Sequence, residues 1–214
     1  MKFLIISECS ERKRYPPETL RGILKPRGLG IPNCDIELED AYRKVLKNYM
    51  LPAREMYQGV VAEVRALVDA LRKRGHQVDF YIISARYGLL RENDPVIPYE
   101  YTLRGKGKKE VTERLQKMQV YKKLMTAVNE HNYDKAILIL GNNYVPAIFN
   151  SELKVDFFKQ LSAKRIIFIA GKSLKTQIKH PNVAFIPIRG WGERIRKLQE
   201  ITFKIKKTKL TETA

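Results

Sequence analysis

Cysteine is scarce in this chain. Only Cys9 and Cys34 occur among 214 residues, too few and too far apart for a disulfide framework. His76, His131 and His180 lie in or near predicted helix ends and loops and show no metal-ligand spacing. Neither a metal centre nor any other cofactor is expected. Long apolar runs are missing too: none approaches the roughly 18 residues that a bilayer crossing takes. Phe3 to Ser7, after Met1 and Lys2, is too short for the core of a signal peptide and reads as a first strand, so the expected location is the cytoplasm. Acidic residues are the third shortage. Asp and Glu number 23 against 41 Lys and Arg, a net charge of +18.

That imbalance points to a polyanionic partner, because a field of this sign attracts nucleic acid and displaces its counterions. A surface adapted to high temperature is also rich in charge, but it predicts near balance rather than an excess of one sign. No segment is both basic and amphipathic beyond what an ordinary core helix shows, which argues against a membrane-surface role. Apolar residues make up 44% of the chain, enough for a sizeable core. No repeat or domain boundary is visible, so residues 1–214 read as one domain and as a monomer, with a frayed tail after Lys206.

Five short runs rich in β-branched residues are near-continuously apolar: Phe3 to Ser7, Val78 to Ser84, Ala136 to Leu140, Arg165 to Ala170 and Val183 to Ile188. Strands buried on both faces read this way. Helical periodicity fills the gaps, over Ala53 to Arg74 (closing on Gly75), Thr112 to Asn132, Val145 to Leu161 and about Glu193 to Lys206. The alternation predicts an α/β fold with a mostly parallel central sheet of about five strands, covered by helices on both faces. Tyr15 to Pro32, rich in Pro, Gly and Arg, reads as a long irregular loop, and Arg104 to Lys109 as a mobile basic one.

In open parallel sheets, ligands bind beyond the C-terminal strand ends. Unusual polar residues cluster there: Ser7 to Lys13, Ser84 to Leu90, Gly141 to Tyr144, Gly171 to Ser173 and Arg189 to Arg194. Loops after strands are commonly polar, but five on one edge predict a shared cleft if the strands are parallel. Gly171-Lys172-Ser173 resembles the end of a phosphate loop, yet the stretch before it is strand and lacks the required glycine; a looser anion contact at the following helix start stays open. Trp191, flanked by Gly190 and Gly192 and followed by Arg194, either stacks on a base or packs the last helix. Tyr87, Tyr99 and Tyr101 beside Arg86 suit a sugar-phosphate, although loop packing accounts for any one of them. Lys13 stands between Arg12 and Arg14. Neighbouring cations lower a lysine's pKa and leave more free amine, which attacks aldehydes; the same cations also suit plain phosphate binding. Cys9 ends the first strand without an obvious histidine partner.

Ile82 to Leu90, with Asp94 and Pro98-Tyr99, resembles the central signature of the YaaA-like proteins, which carry a serine-containing run ending in tyrosine-glycine-leucine-leucine, an acidic residue and a proline-tyrosine pair. Ala53 to Gly59, with Tyr57, is similar to their upstream tyrosine-x-glycine element, and Cys9-Ser10 with Lys13 to their N-terminal cysteine/serine–lysine element. This resemblance covers roughly the first half of the chain and implies DNA binding and protection from oxidative DNA damage. Length, basicity and abundance of charge also resemble an abasic-site lyase family of hyperthermophilic archaea of the Thermococcales, with a fold of its own. That second resemblance implies β-elimination at abasic DNA through a lysine Schiff base, without a metal.

The expected function is therefore an abasic-site lyase acting on damaged DNA, with Lys13 as the amine and Asp94 or Glu55 assisting proton removal. Substrate contacts are expected from Cys9, Ser10, Arg12, Tyr57, Ser84, Arg86, Tyr87, Gly88, Tyr99, Lys106, Lys108, Lys109, Asn142, Trp191 and Arg194. Two alternatives stay open: a DNA-binding protein that only shields lesions, and a glycosylase or N-ribosyl hydrolase using a carboxylate in the same cleft.

Overall fold

The computed structural model describes residues 1–149, 157–158, 161, 163–178 and 180–208. Six strands form the main sheet: β1 (Lys2–Glu8), β3 (Gln77–Ser84), β4 (Gly88–Arg91), β6 (Tyr133–Ile139), β7 (Ala163–Gly171) and β8 (Val183–Ile188). Their spatial order is β4-β3-β1-β6-β7-β8. β3, β1, β6, β7 and β8 run parallel, and β4 folds back antiparallel on β3 as an edge strand. A separate two-stranded ribbon pairs β2 (Leu51–Pro52) with β5 (Pro95–Val96). All five predicted strands are present, so the chain is an α/β protein with a mostly parallel sheet.

Side chains alternate across β1 and seed two cores. Leu4 and Ile6 point to a layer made by α5 (Lys108–Lys117), α6 (Val120–Asn129) and α7 (Tyr144–Ile148). Phe3 and Ile5 point to α4 (Val60–Lys73) and α8 (Trp191–Thr208). In α4, buried Val60, Val64, Leu67, Val68 and Leu71 recur at helical spacing and form the stripe that docks on the sheet. Helices on both faces explain why the parallel strands are near-continuously apolar. A third core gathers Leu20, Leu24, Tyr42, Leu46 and Ile97 beneath the N-terminal segment, which includes α2 (Glu39–Val45).

Four expectations need correction. Tyr15 to Pro32 is not simply a loop: it holds α1 (Pro17–Leu24) and a short 3-10 turn, Lys25–Arg27. Proline is tolerated in a first turn because those amides have no intrahelical acceptor, so the prolines there mark a start rather than a break. The Ala53 to Arg74 helix is two helices, α3 (Ala53–Met56) and α4, separated by extended Tyr57 and by Gly59 at φ 67°. Thr112 to Asn132 is likewise split, at Gln119 with φ 53°. The basic Arg104 to Lys109 stretch runs into α5, which begins at Lys108. Of the predicted Val145 to Leu161 helix, α7 covers the start; residues 150–156 and the tail beyond 208 lie outside the described residues. Among the described residues no helix is long and apolar enough to cross a membrane, and no cluster of three or more His, Cys, Asp or Glu residues is arranged to hold a metal ion.

A candidate active site at the strand crossover

The connection from β1 reaches β3 through α4 on one face, whereas the connection from β6 reaches β7 on the other, where α7 lies. The two departures open a crevice between the C-terminal ends of β1 and β6, where doubly wound sheets bind ligands. A cleft of ≈ 820 Å³ lies there. Its floor and walls come from Glu8 to Arg12 after β1, Gly141 to Tyr144 after β6, Gly171 to Ser173 after β7 and Ile188 to Trp191 plus Arg194 around the start of α8. Four of the five predicted strand ends therefore converge. The fifth does not, because Ser84 turns directly into the β3–β4 hairpin.

Glu8 anchors the floor. Its carboxylate accepts the Gly141 amide at 2.6 Å and is paired with the Arg194 guanidinium, which reaches it from α8. Gly141 is required for this approach, since a Cβ there would lie 2.6 Å from Glu8 Oε2. Gly141→Ala should displace Glu8, cost about 1–3 kcal/mol for the disturbed charge-assisted bonds, and lower the denaturation midpoint. An unchanged midpoint would mean that Glu8 is not held as described.

Behind the floor sits a polar knot of phenols and hydroxyls. Buried Tyr57 donates to Ser84 Oγ at 2.9 Å, while Tyr99 lies within 3.0 Å of both hydroxyls. The Cys9 thiol is 3.8 Å from the Tyr144 hydroxyl and 4.0 Å from that of Tyr99. Burial, aided by the nearby Cys9, pushes Tyr57, Tyr99 and Tyr144 well above the ordinary tyrosine range, so these groups stay neutral and able to donate.

Lys13 lies at the edge of this knot. Its backbone is pinned by flanking bonds, Arg14 N to Met56 O at 2.8 Å and Gln58 N to Arg12 O at 3.0 Å. Its amine sits 4.1 Å above the centre of the Tyr99 ring and donates to the Glu11 carbonyl at 3.0 Å. Burial pulls its pKa below the usual lysine value, and Cys9, Glu11 and Glu100 only partly offset that. The amine itself is not part of the cleft wall; Cys9, Glu11 and Arg12 are.

The other expected residues divide clearly. Ser10 Oγ accepts the Val61 amide at 3.2 Å, a bond at the start of α4. Trp191 is 54% exposed. Its ring lies so close to Gly59 that a Cβ there would be 2.8 Å from it, so the indole forms a cleft wall instead of packing the last helix. Arg12, Asn142 and Arg194 line the cleft as expected.

Arg86 does not. It is fully buried, bonded to Asp35 at 2.6 Å and Glu39 at 2.8 Å, and ties α2 and the turn before it to the hairpin. Tyr87 donates to Glu39 at 2.9 Å, and Gly88 faces Met118 in the kink between α5 and α6. Asp94 accepts the Arg91 amide at 2.8 Å and closes the turn after β4. Glu55 is exposed on α3, away from the cleft wall. The carboxylates that act on the Lys13 amine are Glu11 and Glu100, neither of which the sequence singled out. Lys106 and Lys109 pair with Glu110 and Glu113 along α5, at 3.0 and 3.9 Å, and Lys108 is exposed; Arg104 is the member of that stretch that lines the cleft.

The model of a family of unknown function, DUF6884, matches residues 43–166, more than half of the chain. The match spans the Tyr57, Ser84 to Tyr99 and Gly141 elements but neither Cys9 to Lys13 nor the α8 turn. No curated protein and no solved structure matches.

Proposed function

We propose that this chain, which belongs to the DUF6884 family, is a nucleic-acid repair enzyme that opens abasic sites by β-elimination through Lys13. The family carries no assigned activity, so the argument rests on the cleft. The observation that carries it is the Lys13 amine, with a pKa lowered by burial, held over Tyr99 next to a crevice rimmed by Arg12, Arg104, Lys172 and Arg189.

An abasic site presents an aldehyde at sugar C1′. The neutral Lys13 amine adds to that carbon and water leaves, giving an imine. A carboxylate then takes a C2′ proton, the electrons move toward the imine, and the 3′ phosphate departs. Glu11 suits that task, since the residue lines the cleft, its carbonyl holds the Lys13 amine and its carboxylate lies 3.5 Å from the rim guanidinium of Arg104. The neutral phenol of Tyr144, in the cleft wall, supplies a hydrogen bond to the departing hydroxyl. The cationic rim holds phosphates and gives no base specificity.

Borohydride added to the protein with abasic duplex should trap a covalent protein–DNA adduct. Absence of the adduct, with binding intact, would reduce the chain to a lesion-shielding DNA-binding protein. Binding itself should weaken steeply with salt, the slope of log affinity against log salt reaching about −0.9 per neutralised phosphate. A flat salt response measured by fluorescence anisotropy would remove nucleic acid as the partner.

One observation favours a second reading. Glu8 and Glu11 line the cleft directly, whereas Lys13 stands behind them. Carboxylates in that position suit cleavage of an N-glycosidic bond, and release of free base from intact damaged DNA, without an adduct, would select it.

A further inference from the structure

The β8–α8 turn contains groups that the lyase chemistry leaves unused. α8 is an 18-residue helix whose first turn opens on the cleft through Trp191. Its first backbone bond runs from the Arg194 amide to the Gly190 carbonyl at 3.1 Å, so the amides of Trp191, Gly192 and Glu193 have no intrahelical acceptor. The carboxylate of Glu193 takes the Arg189 amide at 2.7 Å and folds the turn without using those three donors. Bare amides and the positive end of the helix dipole favour an anion here.

A second, independent feature points the same way. The Arg194 side chain is nine-tenths buried in the cleft wall. One of its nitrogens is paired with Glu8, yet its Nε has no hydrogen-bond partner among the described residues. That nitrogen is sealed from solvent, so an oxyanion meets Arg194 at the part of the side chain that lines the cleft. Two exposed cations, Lys172 after β7 and Arg189 after β8, flank the same turn and have no carboxylate partner among the described residues. Arg194 is largely neutralised by Glu8, so these two supply the net charge that a phosphate would meet. The space beside Gly190 and Gly192 is open, since a Cβ on either would meet nothing within 4 Å.

We infer that the α8 turn, Arg194, Lys172 and Arg189 form a phosphate-binding subsite of the cleft that recognises a phosphate ester on the sugar of a nucleotide. The inference rests on the cleft being the substrate site, but not on Lys13 chemistry, so binding tests it without turnover. A free nucleoside monophosphate and a phosphate within a DNA strand share this chemistry. Adenosine, adenosine 5′-monophosphate, inorganic phosphate and a short single-stranded oligonucleotide with and without a 5′-phosphate are the probes, titrated calorimetrically into the full chain.

Adenosine 5′-monophosphate should bind at least tenfold tighter than adenosine. Tighter binding of the 5′-phosphorylated oligonucleotide than of the unphosphorylated one assigns the subsite to a terminal phosphate, and equal binding of the two assigns it to phosphates within the strand. The double variant Lys172→Met/Arg189→Met changes exposed residues only and should erase the preference for the monophosphate. Gly192→Pro removes one free amide in the first turn and should weaken monophosphate binding several-fold, whereas Gly192→Ala, which keeps the amide, should not. Thermal melts of all three variants report folding. Equal binding of adenosine and its monophosphate, or a preference that survives the double variant in a folded protein, overturns the inference. A trapped Lys13 adduct seen alongside such a failure would leave the lyase standing, and phosphate preference without an adduct would do the reverse.

Discussion

Lys13→Met should abolish the borohydride-trapped adduct and slow cleavage of abasic DNA by roughly 10²–10⁴-fold, with little change in duplex affinity. The methionine keeps the length and apolar bulk that lie on the Tyr99 ring, at 4.1 Å from amine to ring centre in the native protein, and removes the nucleophile. Arg12, Arg104, Lys172 and Arg189 still rim the cleft and Lys13 is not part of its wall, so the salt slope of binding should stay as it is. The pH profile carries the same argument. Only the neutral amine attacks, so the single-turnover rate rises with pH until Lys13 is deprotonated and then levels off. Because burial lowers that pKa, the plateau begins below the usual lysine value of about 10.4. An adduct that survives Lys13→Met, or a rate still climbing through the ordinary lysine range, would place the amine elsewhere.

The sheet was legible because strand composition shows even where burial differs: Val78 to Ser84 is almost wholly buried and apolar but for Asp79 and Ser84, while Val183 to Ile188, a half-buried edge strand, is apolar throughout, and the structure finds both as strands. Helix interruptions were not legible. Gln119 is an ordinary helix-compatible residue, and its left-handed conformation sits next to Met118, which packs against Gly88 thirty positions earlier, a tertiary contact that no local pattern shows. The cleft was legible in outline, since parallel strands must end on one edge, and Arg12, Asn142, Trp191 and Arg194 do line it. What failed was assigning partners. A charged residue at a strand end looks the same in sequence whether it meets a ligand or another side chain. Asp94 and Glu55 stand out in sequence by their place in a motif, while Glu11, two residues from Lys13, is the acidic residue that both acts on the amine and lines the cleft. Arg86 is the sharpest case, because its partners Asp35 and Glu39 lie some fifty positions upstream, too far for any local pattern to pair them with it.

Arg86→Met should therefore cost stability, not substrate affinity: about 3–5 kcal/mol, read as a lower denaturant midpoint at an unchanged slope. The guanidinium is fully buried and is the point at which the Asp35 and Glu39 carboxylates and the Asn33 carbonyl converge. Methionine fills the space but leaves two partly buried carboxylates without their countercharge. Burial alone would raise Asp35, yet hydrogen bonds from Tyr42 and Arg86 hold it below its ordinary value. A carboxylate lowered in this way contributes stability above the unfolded pKa of about 3.9, and loses it as pH falls through the folded value. Without Arg86 most of that contribution is absent, so the stability deficit of the variant should be largest above the ordinary carboxylate pKa and shrink as pH falls through it. The triple variant Arg86→Met/Asp35→Asn/Glu39→Gln should recover part of the loss, since removing the whole charge cluster costs less than orphaning its members. The cleft lies on the other side of Tyr87 and Tyr99, so monophosphate and duplex binding should survive in the folded fraction. Selective loss of DNA binding at native stability would instead make Arg86 a ligand-contacting residue, and the buried assembly around it would need another explanation.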